Sequence, residues 1–259
     1  MPAPLPPPDP AAPRSADAPG RADALRRLAW SVTMPALRWD GSTYRPHGDA
    51  PAPEACVDAG CAGFILFGGT VGGARTLIEG LRTRAARPLL FGADLERGAG
   101  QQFEGATALP PLGAFGALDD PGATRAAGEL TAVEARSIGV DILFAPVADV
   151  AAEPDNPIVG PRAVGADPEV VARHVVAWIE GARAGGDLPC VKHFPGHGRT
   201  TGDTHLEEVR VEADAATLRA DLHPFRAAIA AEVPLVMPGH LAAPALDPSG
   251  SIATVSPRL

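Results

Sequence analysis

Residues 190–206, CVKHFPGHGRTTGDTHL, hold the densest group of side chains that could do chemistry. His193 and His197 are four residues apart, and on an α-helix this spacing would suggest half of a zinc site. Pro195 and Gly196 lie between them and exclude a regular helix. The spacing therefore does not by itself predict a metal site.

Lys192 is the one lysine among 22 basic residues, and all the others are arginine. An ammonium is a compact donor on a flexible stem, whereas a guanidinium is a broad planar fork, so a site shaped for lysine does not accept arginine. Five of the seven histidines also fall within residues 193–240, and histidine is the side chain that titrates near neutral pH. Both observations indicate a functional site in this part of the chain.

Asp203 and His205 are two residues apart in the Gly/Thr-rich stretch that follows Lys192 and His193. A carboxylate beside an imidazole can fix the tautomer of the ring and stabilise its protonated form, which makes the pair a general acid/base. We therefore predict that Asp203 and His205 are catalytic, near a strand that ends at Lys192 and His193.

The rest of the chain alternates between short apolar runs and Ala/Leu/Arg-rich amphipathic stretches. Strands are expected at residues 28–34, 63–67, 89–93, 141–145, 190–193 and 234–237. Helices are expected at residues 74–84, 124–138, 168–184 and 215–230, the last with Asp214 as its N-cap. Continuous apolar strands that alternate with helices predict an α/β fold with a parallel sheet buried on both faces.

Two parallel architectures remain, an open doubly wound sheet and a (β/α)8 barrel. No GxGxxG follows the first expected strand, and GGTVGG at residues 68–73 lacks the GK[ST] of a phosphate loop. Polar residues instead follow the ends of several strands, where barrels hold their active sites; these are Asp94, Glu96, Asp149, Lys192, His193 and His240. The sequence predicts a TIM-type (β/α)8 barrel that is truncated after about six strand-helix units.

Composition limits the partners and the compartment. Residues 1–22 are Pro/Ala-rich and are expected to form a disordered tail before an incomplete barrel domain at 23–259. The net charge of −9 argues against nucleic-acid binding. Neither a membrane-spanning run nor an apolar signal region is found, so no membrane partner is expected and the prediction is a cytoplasmic protein. Three cysteines without CxxC spacing favour neither a disulfide framework nor a zinc ribbon.

Residues 192–205, KHFPGHGRTTGDTH, resemble the signature of family 3 glycoside hydrolases, in the β-N-acetylhexosaminidase branch. Similar matches run from about residue 24 to the end: GFILFGG, DLERG, NPIVGPRAVGADP, VPLVMPGHLAAPALDP and TVSPRL. The resemblance implies a TIM-type barrel and a retaining exo-glycosidase that removes terminal N-acetylglucosamine without a metal or cofactor. It also implies a carbohydrate substrate from cell-wall fragments, in bacterial cell wall recycling.

The resemblance assigns roles to individual residues. Four residues match positions that bind the amino sugar: Asp94, Arg162, Lys192 and His193. His205 matches the general acid/base, in place of the carboxylic acid that most glycosidases use, and Asp203 matches the residue that orients it.

This sequence departs from the family pattern at three places. A sugar-binding arginine of the family falls on Gln102, and Arg97 displaces the first glycine of the GG pair. The third departure is that no residue of 1–259 matches the aspartate nucleophile in its [ST]-D-[AD]-[LM] context; Asp247 lies too early and in the wrong context. With only six strand-helix units, this predicts an N-terminal portion of a glycosidase domain that holds the acid/base half of the machinery.

Two other functions remain open. One is a metal-dependent barrel hydrolase that uses His193, Asp203, His205 and His240. The other is a barrel relative that binds sugar without cleaving it.

Overall fold

The computed structural model describes residues 19–202, 204, 206 and 208–259. The helices are α1 (Pro19–Ser31), α2 (Pro53–Ala59), α3 (Val71–Arg84), α4 (Leu112–Leu118), α5 (Pro121–Ile138), α6 (Pro168–Gly185), α7 (Ala215–Asp221) and α8 (His223–Ala230). The strands are β1 (Ala36–Trp39), β2 (Tyr44–Pro46), β3 (Gly63–Phe67), β4 (Leu90–Ala93), β5 (Ile142–Leu143), β6 (Leu188–Phe194), β7 (Val209–Arg210), β8 (Leu235–Pro238) and β9 (Leu241–Ala242).

The main sheet has the strand order β2-β1-β3-β4-β5-β6-β8. All its neighbours pair in parallel except β2, which forms an antiparallel hairpin with β1. The parallel strands follow chain order in one direction, whereas a doubly wound sheet would reverse at a switch point. The predicted TIM-type architecture is confirmed, and in the described residues it forms an arc in which no pairing joins β8 to β1.

The start of the domain differs from the prediction. Residues 28–34 were expected to form the first strand, but α1 continues to Ser31 and the first strand is β1. Leu25, Leu28, Ala29 and Val32 recur at helical spacing, so the run fits a helix better than a buried strand. α1 also begins at Pro19, inside the predicted tail, and residues 1–18 of that tail lie outside the described residues.

The helix expected at residues 215–230 is two helices, α7 and α8, which meet at Leu222. Pro224 explains the break, because a proline inside one continuous helix would remove a hydrogen bond and collide with the preceding turn. At the first turn of α8 the same residue is tolerated. Asp214 caps α7 as predicted, with its Oδ1 accepting a hydrogen bond from the Thr217 backbone N–H at 2.7 Å.

Helices α5 and α6 pack closely on the outside of the sheet. Asp120 and Asp167 cap their N-termini by accepting backbone N–H hydrogen bonds. Where the two helices cross, a Cβ on Gly128 would collide with the carbonyl oxygen of Trp178, and a Cβ on Gly181 with that of Arg125. Glycine at these two positions lets the helix backbones touch.

The main core lies between the sheet and its helices and includes the buried side chains of Phe64, Leu66, Phe91, Trp178 and Val191. Across the described part of the chain, every helix is too short or too polar to cross a membrane.

Asp187 lies at the end of the sheet where the parallel strands begin, just before β6. Its side chain is 1% exposed, and its Oδ2 has no hydrogen-bond partner among the described residues. The nearest cation is Arg136 of α5, whose Nη1 lies 4.0 Å from Oδ1. Burial raises the pKa of Asp187 to about 7, a rise that the charge of Arg136 offsets only in part.

Candidate active site

Lys192 forms the centre of a charged cluster at the carboxyl ends of β4 and β6. Its Nζ donates to Asp94 Oδ1 at 2.6 Å and lies 2.7 Å from Glu96 Oε1. Asp94 directly follows β4, and Lys192 is near the end of β6, so the parallel strands bring these residues together. Lys192 is 1% exposed, and two carboxylates compensate for the burial of its charge.

Arg162 closes the cluster from the short 3-10 turn Gly160–Arg162. Its Nε donates to Glu96 Oε2 at 2.9 Å and its Nη2 to Oε1 at 2.7 Å, a bidentate pair. Burial alone would raise the pKa of Glu96, but the hydrogen bonds from Arg162 and the charge of Lys192 outweigh burial and lower it to about 2. Glu96 is thus ionised, and both of its carboxylate oxygens contact a cationic side chain.

Asp94 keeps an oxygen for a ligand. Its side chain is 30% exposed, its Oδ1 is held by Lys192, and its Oδ2 has no partner among the described residues. Lys192 has three N–H donors, of which the two carboxylates take two. The cluster therefore offers one acceptor and one donor, both of which suit a sugar hydroxyl.

A third carboxylate, that of Asp149, is fully buried and follows β5. Its Oδ2 lies 2.7 Å from His193 Nδ1, and its Oδ1 accepts from the backbone N–H of His197 at 2.7 Å and of His193 at 3.3 Å. Burial would raise the pKa of Asp149, but its contacts with His193 and with the backbone N–H of His197 outweigh burial and lower it. The carboxylate is ionised at neutral pH.

His197 connects this region to the loop that carries the predicted acid/base residues. Its Nδ1 lies 2.6 Å from Thr200 Oγ1, and its Nε2 lies 3.1 Å from Thr204 Oγ1. Asn156 donates to the carbonyl oxygens of His197 and Thr200 at 2.8 and 2.9 Å. Burial lowers the pKa of His197, so the ring is neutral and one of its nitrogens must accept a hydrogen bond.

The side chains of the Lys192 cluster, with His193 and His197, line a cavity of about 590 Å3. Asp94, Glu96, Arg162, Lys192 and His193 give it a polar side, and its apolar lining includes Phe67, Phe144 and Met237. Such a volume, with a few convergent polar groups, is typical of a small-molecule site.

Gln101 and Gln102 also line the cavity. Gln102 Oε1 accepts from the Gly68 backbone N–H at 2.8 Å, and Gln101 Oε1 accepts from that of Arg97 at 2.9 Å. A backbone N–H can meet only the amide oxygen, so these contacts fix the orientation of both side-chain amides. Neither NH2 group has a partner among the described residues, which leaves two donor groups for a ligand.

The structure brings four of the six predicted site residues together: Asp94, Arg162, Lys192 and His193. The other two, Asp203 and His205, lie outside the described residues. Thr204, between them in sequence, lines the cavity. The sequence prediction assigned no role to Glu96 and Asp149, although both were recognised as polar residues that follow strands.

Of the residues that the metal-dependent alternative uses, His193 and His240 are described, and Asp203 and His205 lie outside the described residues. The Nδ1 atoms of His193 and His240 are engaged by Asp149 and by Thr254, in each case at 2.7 Å. Within the described ranges, no three His, Cys, Asp or Glu side chains come together as a metal-binding group.

Comparison with known proteins adds a family assignment and several relatives. Residues 49–259 match the family model described as the glycosyl hydrolase family 3 N-terminal domain. The chain is 41% identical over 202 residues to a beta-hexosaminidase of Xylella fastidiosa strain M23, covering 74% of this chain and 60% of the relative. A beta-hexosaminidase of Xanthomonas oryzae pv. oryzae is 38% identical over 198 residues, covering 72% of this chain and 59% of the relative. The chain thus spans about 60% of the length of these curated relatives.

Two solved structures are similar along most of the chain. A glycoside hydrolase family 3 beta-N-acetylglucosaminidase from Paenibacillus sp. superposes with a TM-score of 0.81 at 31% identity, covering 90% of this chain and 45% of that one. NagZ from Neisseria gonorrhoeae, in complex with N-trifluoroacetyl-D-glucosamine, superposes with a TM-score of 0.73 at 30% identity, covering 86% of this chain and 68% of that one.

Proposed function

This chain belongs to glycosyl hydrolase family 3, and we propose that it forms the sugar-binding and acid/base part of an exo-β-N-acetylglucosaminidase. The names of the similar proteins support this substrate class: two are beta-hexosaminidases, and one solved relative binds a glucosamine derivative. For the source of the terminal amino sugar we propose cell-wall fragments, as the sequence resemblance implies.

The observation that carries the proposal is the Lys192 cluster beside the cavity. Two cations and two carboxylates form it, so the charges of Asp94, Glu96, Arg162 and Lys192 cancel. A neutral site with unused donors and acceptors fits an uncharged polyhydroxyl ligand. The apolar side chains on the cavity wall can pack against the C–H face of a sugar ring.

In the proposed reaction, His205 gives its proton to the glycosidic oxygen as the bond from C1 to the leaving group breaks. Asp203 stabilises the imidazolium before this transfer, and His205 later takes a proton from the water that releases the sugar. A retaining reaction also needs a nucleophile, and the resemblance assigns none within residues 1–259. For these residues we therefore propose sugar binding and proton transfer.

The direct test is calorimetric titration of the 259-residue chain with N-acetyl-D-glucosamine, with glucose as the comparison sugar. We expect saturable binding of N-acetyl-D-glucosamine, which Arg162→Lys weakens by at least about tenfold because a lysine cannot form the bidentate contact with Glu96. The proposal is wrong if the folded chain binds neither sugar.

A matched control separates the site from the general effect of replacing arginine by lysine. Arg125 forms an exposed ion pair with Glu129 on α5, so Arg125→Lys should leave the affinity unchanged. Equal losses of affinity for Arg125→Lys and Arg162→Lys would show that the Lys192 cluster is not part of the sugar-binding site.

A further inference from the structure

The two oxygens of the Asp149 carboxylate have different partners. Oδ1 is held by two backbone N–H groups, those of His197 and His193. Among the described residues, the hydrogen-bond partner of Oδ2 is the ring nitrogen Nδ1 of His193. Asp149 is 0% exposed, so water does not compete for these contacts. Its orientation is fixed by the main chain, and one oxygen remains to act on the imidazole.

We propose that Asp149 is a positioning residue that fixes the tautomer of His193, so that Nε2 of this ring accepts a hydrogen bond from a hydroxyl group of the bound sugar. The inference rests on the proposed function for the identity of the ligand. The assignment of the tautomer rests on the contacts of His193 with the ionised Asp149 and with Arg162.

The ionised carboxylate requires a proton on the His193 nitrogen that faces it. Oδ2 can only accept, so Nδ1 carries the hydrogen. On the other side of the ring, Arg162 Nη2 lies 3.5 Å from Nε2, and a guanidinium can only donate. A second proton on Nε2 would face that donor, so the neutral ring with a lone pair on Nε2 fits both neighbours. At 3.5 Å the contact with Arg162 is longer than an ordinary hydrogen bond, so this lone pair stays open to a hydroxyl donor.

This arrangement decides what His193 can recognise. The ring is 16% exposed and lines the cavity, with Nε2 as the nitrogen that Asp149 leaves free. A neutral Nε2 recognises a group that donates, such as a sugar hydroxyl. It does not recognise a group that only accepts, such as a carbon-bound fluorine.

The variant Asp149→Asn isolates this effect. The two backbone N–H groups require an oxygen at the Oδ1 position, so the new NH2 group must stand where Oδ2 was. There it donates to His193 Nδ1 and moves the ring proton to Nε2. The main-chain contacts are kept, and His193 changes from an acceptor to a donor toward the cavity.

The first measurement is 15N NMR of chains labelled at histidine, with the His193 signals assigned by their loss in His193→Gln. We expect the Nδ1–H tautomer in the wild type and the Nε2–H tautomer in Asp149→Asn. A matched control is Asp221→Asn, at a buried carboxylate that contacts Arg199 instead, which should leave the His193 signals unchanged. An Nε2–H or doubly protonated ring in the wild type, or no change of tautomer in Asp149→Asn, overturns the proposal.

The second measurement is the affinity for N-acetyl-D-glucosamine and its 3-, 4- and 6-deoxyfluoro derivatives. At the hydroxyl that contacts His193, we expect fluorine to weaken wild-type binding about tenfold and to be tolerated by Asp149→Asn. The same fluorine penalties in both proteins at every position would overturn the recognition step. If the wild type binds no sugar, the proposed function and the recognition step both fail, and the NMR spectra still decide the tautomer.

Discussion

Asp187→Asn should stabilise the chain more at pH 8 than at pH 5. The buried carboxylate has a pKa of about 7 in the folded chain, against 3.8 for an ordinary aspartate. Between these values the folded state binds more protons than the unfolded state, so the free energy of unfolding falls as pH rises. Asparagine carries no charge and removes this dependence.

The size of the effect follows from the two pKa values. Each pKa unit corresponds to about 1.4 kcal/mol, so the ionised carboxylate lowers the free energy of unfolding by about 4 kcal/mol at pH 8. At pH 5 it is mostly protonated in the folded chain, and the penalty is about 1.5 kcal/mol. The expected difference between the two pH values is thus about 2.5 kcal/mol.

Urea unfolding of both proteins at pH 5 and pH 8, followed by circular dichroism, measures this difference. The amide of the variant places an NH2 group without a partner in the same position, which costs about 1–3 kcal/mol. That cost is the same at both pH values and cancels when the effects of the substitution are subtracted. Among the described residues, the charged groups that affect the pKa of Asp187 are Arg136, which lowers it, and Asp141, which raises it.

A matched control is Asp58→Asn, at an exposed carboxylate that pairs with Arg84. The hydrogen bond from Arg84 lowers the pKa of Asp58, so its contribution to stability is already complete at pH 5 and the variant should behave alike at both pH values. The change in the free energy of unfolding caused by Asp187→Asn should differ between pH 5 and pH 8. A difference of less than about 0.5 kcal/mol would refute the argument from burial.

Three further predictions concern the site. Lys192→Arg should weaken N-acetyl-D-glucosamine binding by at least about 1.4 kcal/mol in calorimetry, because the guanidinium does not fit between Asp94 and Glu96; wild-type affinity would contradict this. Gln102→Glu keeps the acceptor for the Gly68 N–H and removes the NH2 donor, so affinity should fall about tenfold if that donor binds the sugar. In a longer version of the chain that includes the nucleophile, His205→Ala should lower the rate of hydrolysis about 10² to 10⁴-fold on substrates with poor leaving groups and less on activated phenols, with no effect of chelator. Equal losses on both leaving groups together with chelator sensitivity would favour the metal-dependent hydrolase.

The fold was predictable wherever a buried strand leaves a continuous apolar run. GFILF at residues 63–67 is β3 with the predicted bounds, and residues 168–184 fall within α6. The strand expected at residues 28–34 was wrong because the apolar run is short and continues a helical spacing that begins at Leu25, before the run itself. The pairing of β7 with β9 joins two-residue segments that leave no periodic pattern.

The site was predictable where a residue type is unusual for this chain. The single lysine lies at the centre of the charged cluster, as its rarity suggested. Glu96 and Asp149 act mainly on other protein side chains, and such roles depend on distances between segments that are far apart in sequence. The fixed orientation of Gln102 likewise depends on one backbone N–H, that of Gly68, 34 positions away.

The order of strands in the main sheet bears on how the chain can fold during synthesis. Each parallel strand pairs with one that precedes it by no more than about fifty residues, as in the pairing of Leu37 with Leu66 and of Cys190 with Leu235. When a strand leaves the ribosome, the strand with which it pairs has therefore already been synthesised. The hairpin of β1 and β2 can serve as the starting edge, on which later units dock in turn. At any moment the newest strand is one edge open to non-native pairing, and β2 is the other.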